Sequence, residues 1–295
     1  MSVSKKSFTK ENKILLVGGT GYLGSQLKLS LSQEGFKQVF ISSSKEKGKG
    51  IIQLDLLNKS HVSAIRDMDF DFIINLTGQV SNPIDSCLKL NSLGMENLIQ
   101  ICTGKSKLIH LSTVNLYGTG EGFDETTVPQ PETPYSTLKL VSEKFLMEKG
   151  DKTGFSIIRL SNLYGGKQPK GIFAYLFRSA LNRELSLHFN NDGYMVRNYL
   201  HVEDAAMGII NLAQKTNFEN KEIYNFVGRD ELSIRELIGK FENIFNLNFQ
   251  VRFSNQKAWE NSLDISDQKF RTLTGFKEKF LLEDYIKKLK ADAHQ

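Results

Sequence analysis

Tyr135 and Lys139 stand four apart in the stretch Pro134-Tyr135-Ser136-Thr137-Leu138-Lys139. At helical spacing the two side chains share one face, and Pro134 suits a first helical turn. A free phenol titrates near ~10, too high for a general base at neutral pH. An ammonium beside it favours the phenolate and lowers that value, which makes the phenol a usable proton relay. Taken alone, the pair reads equally well as two residues on a helix surface. A second group of hydroxyls lies in Leu111-Ser112-Thr113-Val114-Asn115-Leu116-Tyr117-Gly118. In an open parallel sheet, ligands sit beyond the carboxyl ends of strands, so hydroxyls there can hold a substrate oxygen beside the phenol. The same hydroxyls could instead cap a strand-end turn.

Gly18, Gly21 and Gly24 form a GxxGxxG loop that contains Tyr22 and Leu23. The loop follows the apolar run Lys13–Val17 and opens a segment in which Leu23, Leu27 and Leu31 recur at helical spacing. Such glycines allow a tight turn, close approach of backbone to a pyrophosphate and close helix–strand packing. The helix N-terminus adds N–H groups and partial positive charge. A bare glycine-rich turn is the competing reading. A dinucleotide site for NAD usually carries an acidic residue ~20 residues beyond the glycines, on the ribose 2′-OH. Here Ser42-Ser43-Ser44-Lys45 occupies that place, with no carboxylate before Glu46, and Lys47 and Lys49 follow. Hydroxyls and ammonium groups suit a 2′-phosphate, so NADP(H) is favoured over NAD(H).

These residues need elements to position them. Short apolar runs at Lys13–Val17, Gln38–Ile41, Ile51–Asp55, Phe70–Leu76, Lys107–Ser112 and Gly154–Leu160 read as buried strands. Helix-like stretches separate most of them, notably Asp85–Thr103 and Tyr135–Lys149. That alternation predicts an α/β fold with a doubly wound parallel sheet. Beyond Tyr164-Gly165-Gly166 the rhythm changes. Helices are expected at Ile172–Leu181, Asp204–Gln214 and Ser233–Ile244, strands at Arg197–Val202 and Ile223–Val227, and then a mostly helical tail. The expected division is a dinucleotide-binding domain over 12–165 plus about 195–227, and a smaller substrate-binding domain over 166–194 plus 228–295.

Across the 295 residues, Lys+Arg 38 against Asp+Glu 33 leaves a weak +5. The basic residues are dispersed, which disfavours a nucleic-acid binder. No apolar run approaches the ~20 residues that span a bilayer, and the polar start MSVSKKSFTKEN lacks an apolar signal segment. Cys87 and Cys102, the only cysteines, are not at a redox or metal spacing. They read as two buried thiols of a cytoplasmic protein, with no metal site.

In combination, these motifs resemble the extended short-chain dehydrogenase/reductase family, its nucleotide-sugar epimerase/dehydratase/reductase group, with a Rossmann-type domain. The resemblance runs from about Lys13 to Lys288. It implies that Asp55 and Leu56 contact adenine, and that Leu76, Thr77 and Gly78 flank the cofactor. It aligns Thr113 with the catalytic Ser/Thr and Tyr135 and Lys139 with the catalytic pair. Arg159-Leu160-Ser161-Asn162-Leu163-Tyr164-Gly165 resembles the motif whose asparagine touches the sugar nucleotide. Arg197-Asn198-Tyr199-Leu200-His201-Val202-Glu203-Asp204 resembles the motif whose arginine binds its diphosphate. It also implies a homodimer through the helices near 85–103 and 135–149, with Leu88, Ile99, Val141 and Phe145 as apolar candidates.

The departures narrow the activity. Val114-Asn115 follows Thr113 where 4,6-dehydratases of the group carry an acidic pair, and Asn198 replaces the usual Asp. The expected activity is hydride transfer at a nucleotide-sugar ring carbon, C4, by a 4-ketoreductase, with an NAD-retaining 4-epimerase as the alternative. A small-carbonyl reductase and a non-catalytic dinucleotide-binding sensor or scaffold are weaker alternatives.

Overall fold

The computed structural model describes residues 7–78, 83–102, 105–150, 153–256, 259 and 261–293. Residues 1–6 of the polar start, and Thr103 at the end of one expected helix, lie outside them. The chain begins β1 (Lys13–Val17), α1 (Tyr22–Gln33), β2 (Gln38–Ser43), β3 (Ile51–Gln53), α2 (Lys59–Arg66), β4 (Phe72–Asn75), α3 (Ile84–Asn91), α4 (Leu93–Ile101) and β5 (Lys107–Thr113). A 3-10 turn (Val114–Tyr117) leads to β6 (Gly120–Phe123), α5 (Pro134–Lys149), β7 (Gly154–Leu160), β8 (Asn162–Tyr164), α6 (Ile172–Asn182), β9 (Ser186–Phe189), β10 (Val196–His201) and α7 (Val202–Lys215). The rest is β11 (Glu222–Phe226), β12 (Asp230–Ser233), α8 (Ile234–Phe245), β13 (Gln250–Phe253), β14 (Ser262–Ile265), α9 (Gln268–Thr274) and α10 (Leu282–Asp292).

Seven strands form the large sheet, in the order β11-β7-β5-β4-β1-β2-β3, and every pairing in it is parallel. The expected doubly wound sheet is therefore present. The period-2 pleat sends alternate residues of β1 to opposite faces. Ile14 and Leu16 join a core with Leu27, Leu31 and Ile209, whereas Leu15 and Val17 join one with Leu98 and Leu146. Helices thus cover both faces. The order reverses between β1 and β4, whose carboxyl ends carry Gly18 and Leu76, and this is where such sheets bind ligands. A third core gathers Phe173, Leu176, Leu237, Phe241, Leu282 and Ile286.

Four expectations need correction. The helix expected over 85–103 is two helices, broken at Ser92 (φ −110°, ψ −83°). Ser92 Oγ donates back to the Leu88 carbonyl at 2.7 Å, a local bond that competes with helix continuation. The break sets Gly94 against Leu56. The third strand stops at Gln53, because the Asp55 N–H leaves the ladder for His61 Nδ1 at 3.1 Å. The tail contains short strands as well as helices: β12 pairs antiparallel with β10, whereas β13 pairs parallel with β9 and β14 parallel with β6. Cys102 is half-buried, while Cys87 is buried, and both are free thiols. No helix among the described residues is long and apolar enough to cross a membrane. No cluster of metal-ligating side chains occurs among them.

Candidate active site

Two adjoining clefts open at the switch point, and Gly18, Gly21 and Thr77 line both. The glycine loop forms their shared floor. Gly18 has φ +76°, and a Cβ there would lie 3.1 Å from Thr77 Cγ2. A Cβ on Gly24 would lie 2.7 Å from Gly19 Cα, so α1 packs closely on the loop only because Gly24 is bare. Gly21 is the N-cap of α1, no side chain caps it, and its first turn holds no acidic residue. This cradle fits a dinucleotide pyrophosphate.

The smaller cleft, about 260 Å³, is lined by Ser43, Ser44, Lys45, Glu46, Asp55 and Leu56 among others. Ser43 Oγ accepts from the N–H groups of Lys45 (3.3 Å) and Glu46 (3.0 Å), which shapes the loop after β2. Ser42 lies outside the lining; it is fully buried, with Oγ donating to the Leu16 carbonyl at 3.4 Å. Asn97 reaches from α4 to hold the Leu56 carbonyl at 2.6 Å.

The larger cleft, about 540 Å³, brings together Tyr22, Leu23, Gly24, Leu76, Thr77, Ser112, Thr113, Tyr135, Lys139 and Asn162. Tyr135 and Lys139 lie in the first turns of α5, which begins with Pro134 behind a Thr133–Ser136 capping box. Lys139 is 3% exposed. Its Nζ donates to the Leu111 carbonyl at 2.5 Å and to the Thr77 carbonyl at 3.4 Å. Burial pushes this ammonium down to about 8, opposed by Glu143 and Cys87. Gly78 lines neither cleft; its φ is +104°, and a Cβ there would lie 3.1 Å from Lys139 Nζ, so it clears room for that group. Arg197 also lines neither cleft. Its guanidinium donates to the carbonyls of Val196 (2.9 Å) and Trp259 (3.2 Å).

Some features escaped the sequence. Asn115 and the loop Gln168–Gly171 close the far side of the larger cleft. That loop has no periodicity to read. Glu143, one further turn along the Tyr135–Lys139 face, forms a buried bidentate pair with Arg159 at 2.7 and 3.2 Å; the i, i+4, i+8 spacing was its available signal. Arg159 Nη1 also donates to Tyr117 OH at 2.9 Å, which donates to Asn225 Oδ1 at 2.9 Å. No carboxylate occurs among the described residues that line the larger cleft; the charged ones among them are Lys139 and Lys170.

Comparison with known proteins agrees with this geometry. The chain is 28% identical over 274 residues to a dTDP-D-glucose 4,6-dehydratase of Dictyostelium discoideum, covering 79% of this chain and 62% of that relative. It thus spans less than two thirds of that relative's length. It is 25% identical over 299 residues to a UDP-glucose 4-epimerase of Bacillus subtilis, covering 86% of this chain and 88% of the other. The solved Thermus thermophilus UDP-glucose 4-epimerase in complex with NAD superposes with a TM-score of 0.81 at 24% identity, over 95% of this chain and 98% of that one. The family model for the NAD dependent epimerase/dehydratase family matches residues 14–226. Because that match runs from the first strand of the parallel sheet through its last, β11, the chain belongs to the NAD-dependent epimerase/dehydratase family.

Proposed function

We propose that this family member is a nucleotide-sugar oxidoreductase acting at C4 of the sugar ring, a 4-ketoreductase that uses NADPH. The observation that carries this reading is the larger cleft itself: a Tyr-Lys-Thr set with lysines and no carboxylate among the described residues of its lining. Water elimination needs an added acid and base beside Thr113, but Val114 is buried and Asn115 is neutral. Dehydration is therefore disfavoured, although dehydratases are among the relatives. The cationic lining suits an anionic diphosphate donor.

When bound, a nicotinamide dinucleotide supplies the hydride donor or acceptor. Tyr135 exchanges the proton at the sugar oxygen, and Thr113 hydrogen-bonds and orients that oxygen. Lys139 holds the nicotinamide ribose and stabilises the phenolate. The Asn162 Nδ2, buried and without a partner, donates to the diphosphate. Arg197 assists only by exchanging its Trp259 carbonyl for a phosphate oxygen.

Cofactor choice separates the two leading activities. A reductase must release oxidised cofactor each cycle, whereas an epimerase gains by retaining it. Ser43, Ser44 and Lys45 in the smaller cleft favour a 2′-phosphate, and Glu46 in the same lining favours the 4-epimerase with NAD. A nucleotide-sugar panel, mass spectrometry of nucleotide released on denaturation, and titration with NADPH and NADH test this. Little bound cofactor and tighter NADPH binding are expected. Stoichiometric NAD retained through purification, without NADPH preference, would replace the reductase with the epimerase.

A further inference from the structure

A chain of buried polar groups runs beneath the larger cleft and takes no part in the chemistry assigned above. Asn75 ends β4, His110 faces it across the ladder on β5, and Ser142 lies on α5. All three side chains are at most 2% exposed. Their bonds have only one consistent direction. The Thr77 backbone N–H can only donate, so Asn75 turns Oδ1 toward it at 3.1 Å; Thr77 Oγ1 donates to the same oxygen at 2.7 Å. The amide nitrogen of Asn75 therefore faces His110 Nδ1, at 3.0 Å. An NH₂ group cannot accept, so Nδ1 carries no proton and the hydrogen of the neutral ring sits on Nε2. Nε2–H donates to Ser142 Oγ at 2.9 Å, and Ser142 Oγ donates to the Lys139 carbonyl at 2.7 Å.

The two ends of this chain matter. It starts on Thr77, whose carbonyl receives Lys139 Nζ, and it ends on the backbone of Lys139 itself. The other carbonyl that receives Nζ belongs to Leu111, next to His110. We propose that His110, in its neutral Nε2–H form, is a positioning residue that ties β4 to α5 and thereby sets the Lys139 ammonium in the larger cleft that Tyr135 also lines. Burial and the nearby Lys139 charge both hold the ring's pKa well below its ordinary value, consistent with a ring that stays neutral.

The kinetic half of the test rests on the nucleotide-sugar reading; the other half needs no substrate. Nitrogen-detected NMR at neutral pH is expected to show His110 as the Nε2-protonated neutral tautomer. His110→Phe is expected to lower kcat by ~10- to 10²-fold, the scale of a misplaced catalytic group, with little change in KM for the sugar nucleotide, and to weaken NADPH binding. His110→Gln keeps one donor and one acceptor in the chain, and is expected to restore both readouts close to wild type. An Nδ1-protonated or charged ring would overturn the proposal. So would a Gln variant as impaired as the Phe variant, or a Phe variant with wild-type cofactor binding and turnover. If no nucleotide sugar is turned over, the tautomer and the NADPH affinities of the two variants still decide the matter.

Discussion

Lys139 shows how far a single residue's chemistry depends on its surroundings. In water its ammonium is charged far above neutral pH; buried on the carbonyls of Leu111 and Thr77, it falls to about 8. It stays mostly protonated at neutral pH and lies on the same helix face as Tyr135, the arrangement that makes a phenol a workable acid–base group. Tyr135→Phe removes the ionisable oxygen and keeps the ring. Turnover should fall by ~10²-fold or more while fluorescence titration finds NADPH binding largely kept; near-normal turnover would remove Tyr135 from the mechanism. In the smaller cleft, Lys45→Asp replaces an ammonium with a group that repels a 2′-phosphate and accepts from a 2′-OH. The ratio of NADPH to NADH dissociation constants should invert, and an unchanged ratio would dismiss Lys45 as the selector.

At the scale of elements, the site depends on how helices and strands are terminated. α7 is capped by His201, whose Nδ1 accepts the Glu203 N–H at 3.3 Å. Its ring stacks on Phe280 at 3.9 Å and meets Tyr285 at 4.5 Å. Burial, with Lys288 and Lys279, pushes its pKa from 6.5 to about 4. Between those values the unfolded chain binds a proton that the folded chain refuses, so stability falls as pH falls through that window. The full cost is on the order of 3 kcal/mol. Urea denaturation across this range should show a weaker pH dependence for His201→Asn, since asparagine caps a helix without titrating there. Equal slopes would locate the acid sensitivity elsewhere.

The molecule as a whole places both clefts at the carboxyl ends of the parallel strands. Tyr22 OH, from the glycine loop, donates to the Gly165 carbonyl at 2.5 Å, and the Gly166 N–H donates to Tyr285 OH at 2.8 Å. Three segments far apart in sequence thus meet beside Asn162. We propose that the smaller unit follows its own core around Phe173, Leu237 and Leu282 and leaves Phe270 and Phe276 with the large sheet, in whose core they are buried. Ile84, Leu88, Leu93 and Met147 remain exposed on α3, α4 and α5. A homodimer is expected to cover them. Light scattering at micromolar concentration should give twice the chain mass, with Leu88→Asp shifting it toward the monomer; a monomeric wild type would end the dimer reading.

The sequence by itself determined whatever depends on near neighbours. Gly18, Gly21 and Gly24 after a buried strand specify a turn that few other residues permit. Tyr135 and Lys139 share a face because a helix repeats every 3.6 residues, and the βα alternation dictates a parallel sheet. Tertiary structure decided whatever depends on packing between distant segments. Ser42 and Ser43 are adjacent, yet the pleat buries the first against Leu16 and turns the second to the cleft, a choice set by register with β1. The hold of Trp259 on Arg197 and the His110 chain join residues that no short-range period relates. The charge state of Lys139 was likewise hidden, because desolvation is a property of the assembled core and not of the residue or its spacing.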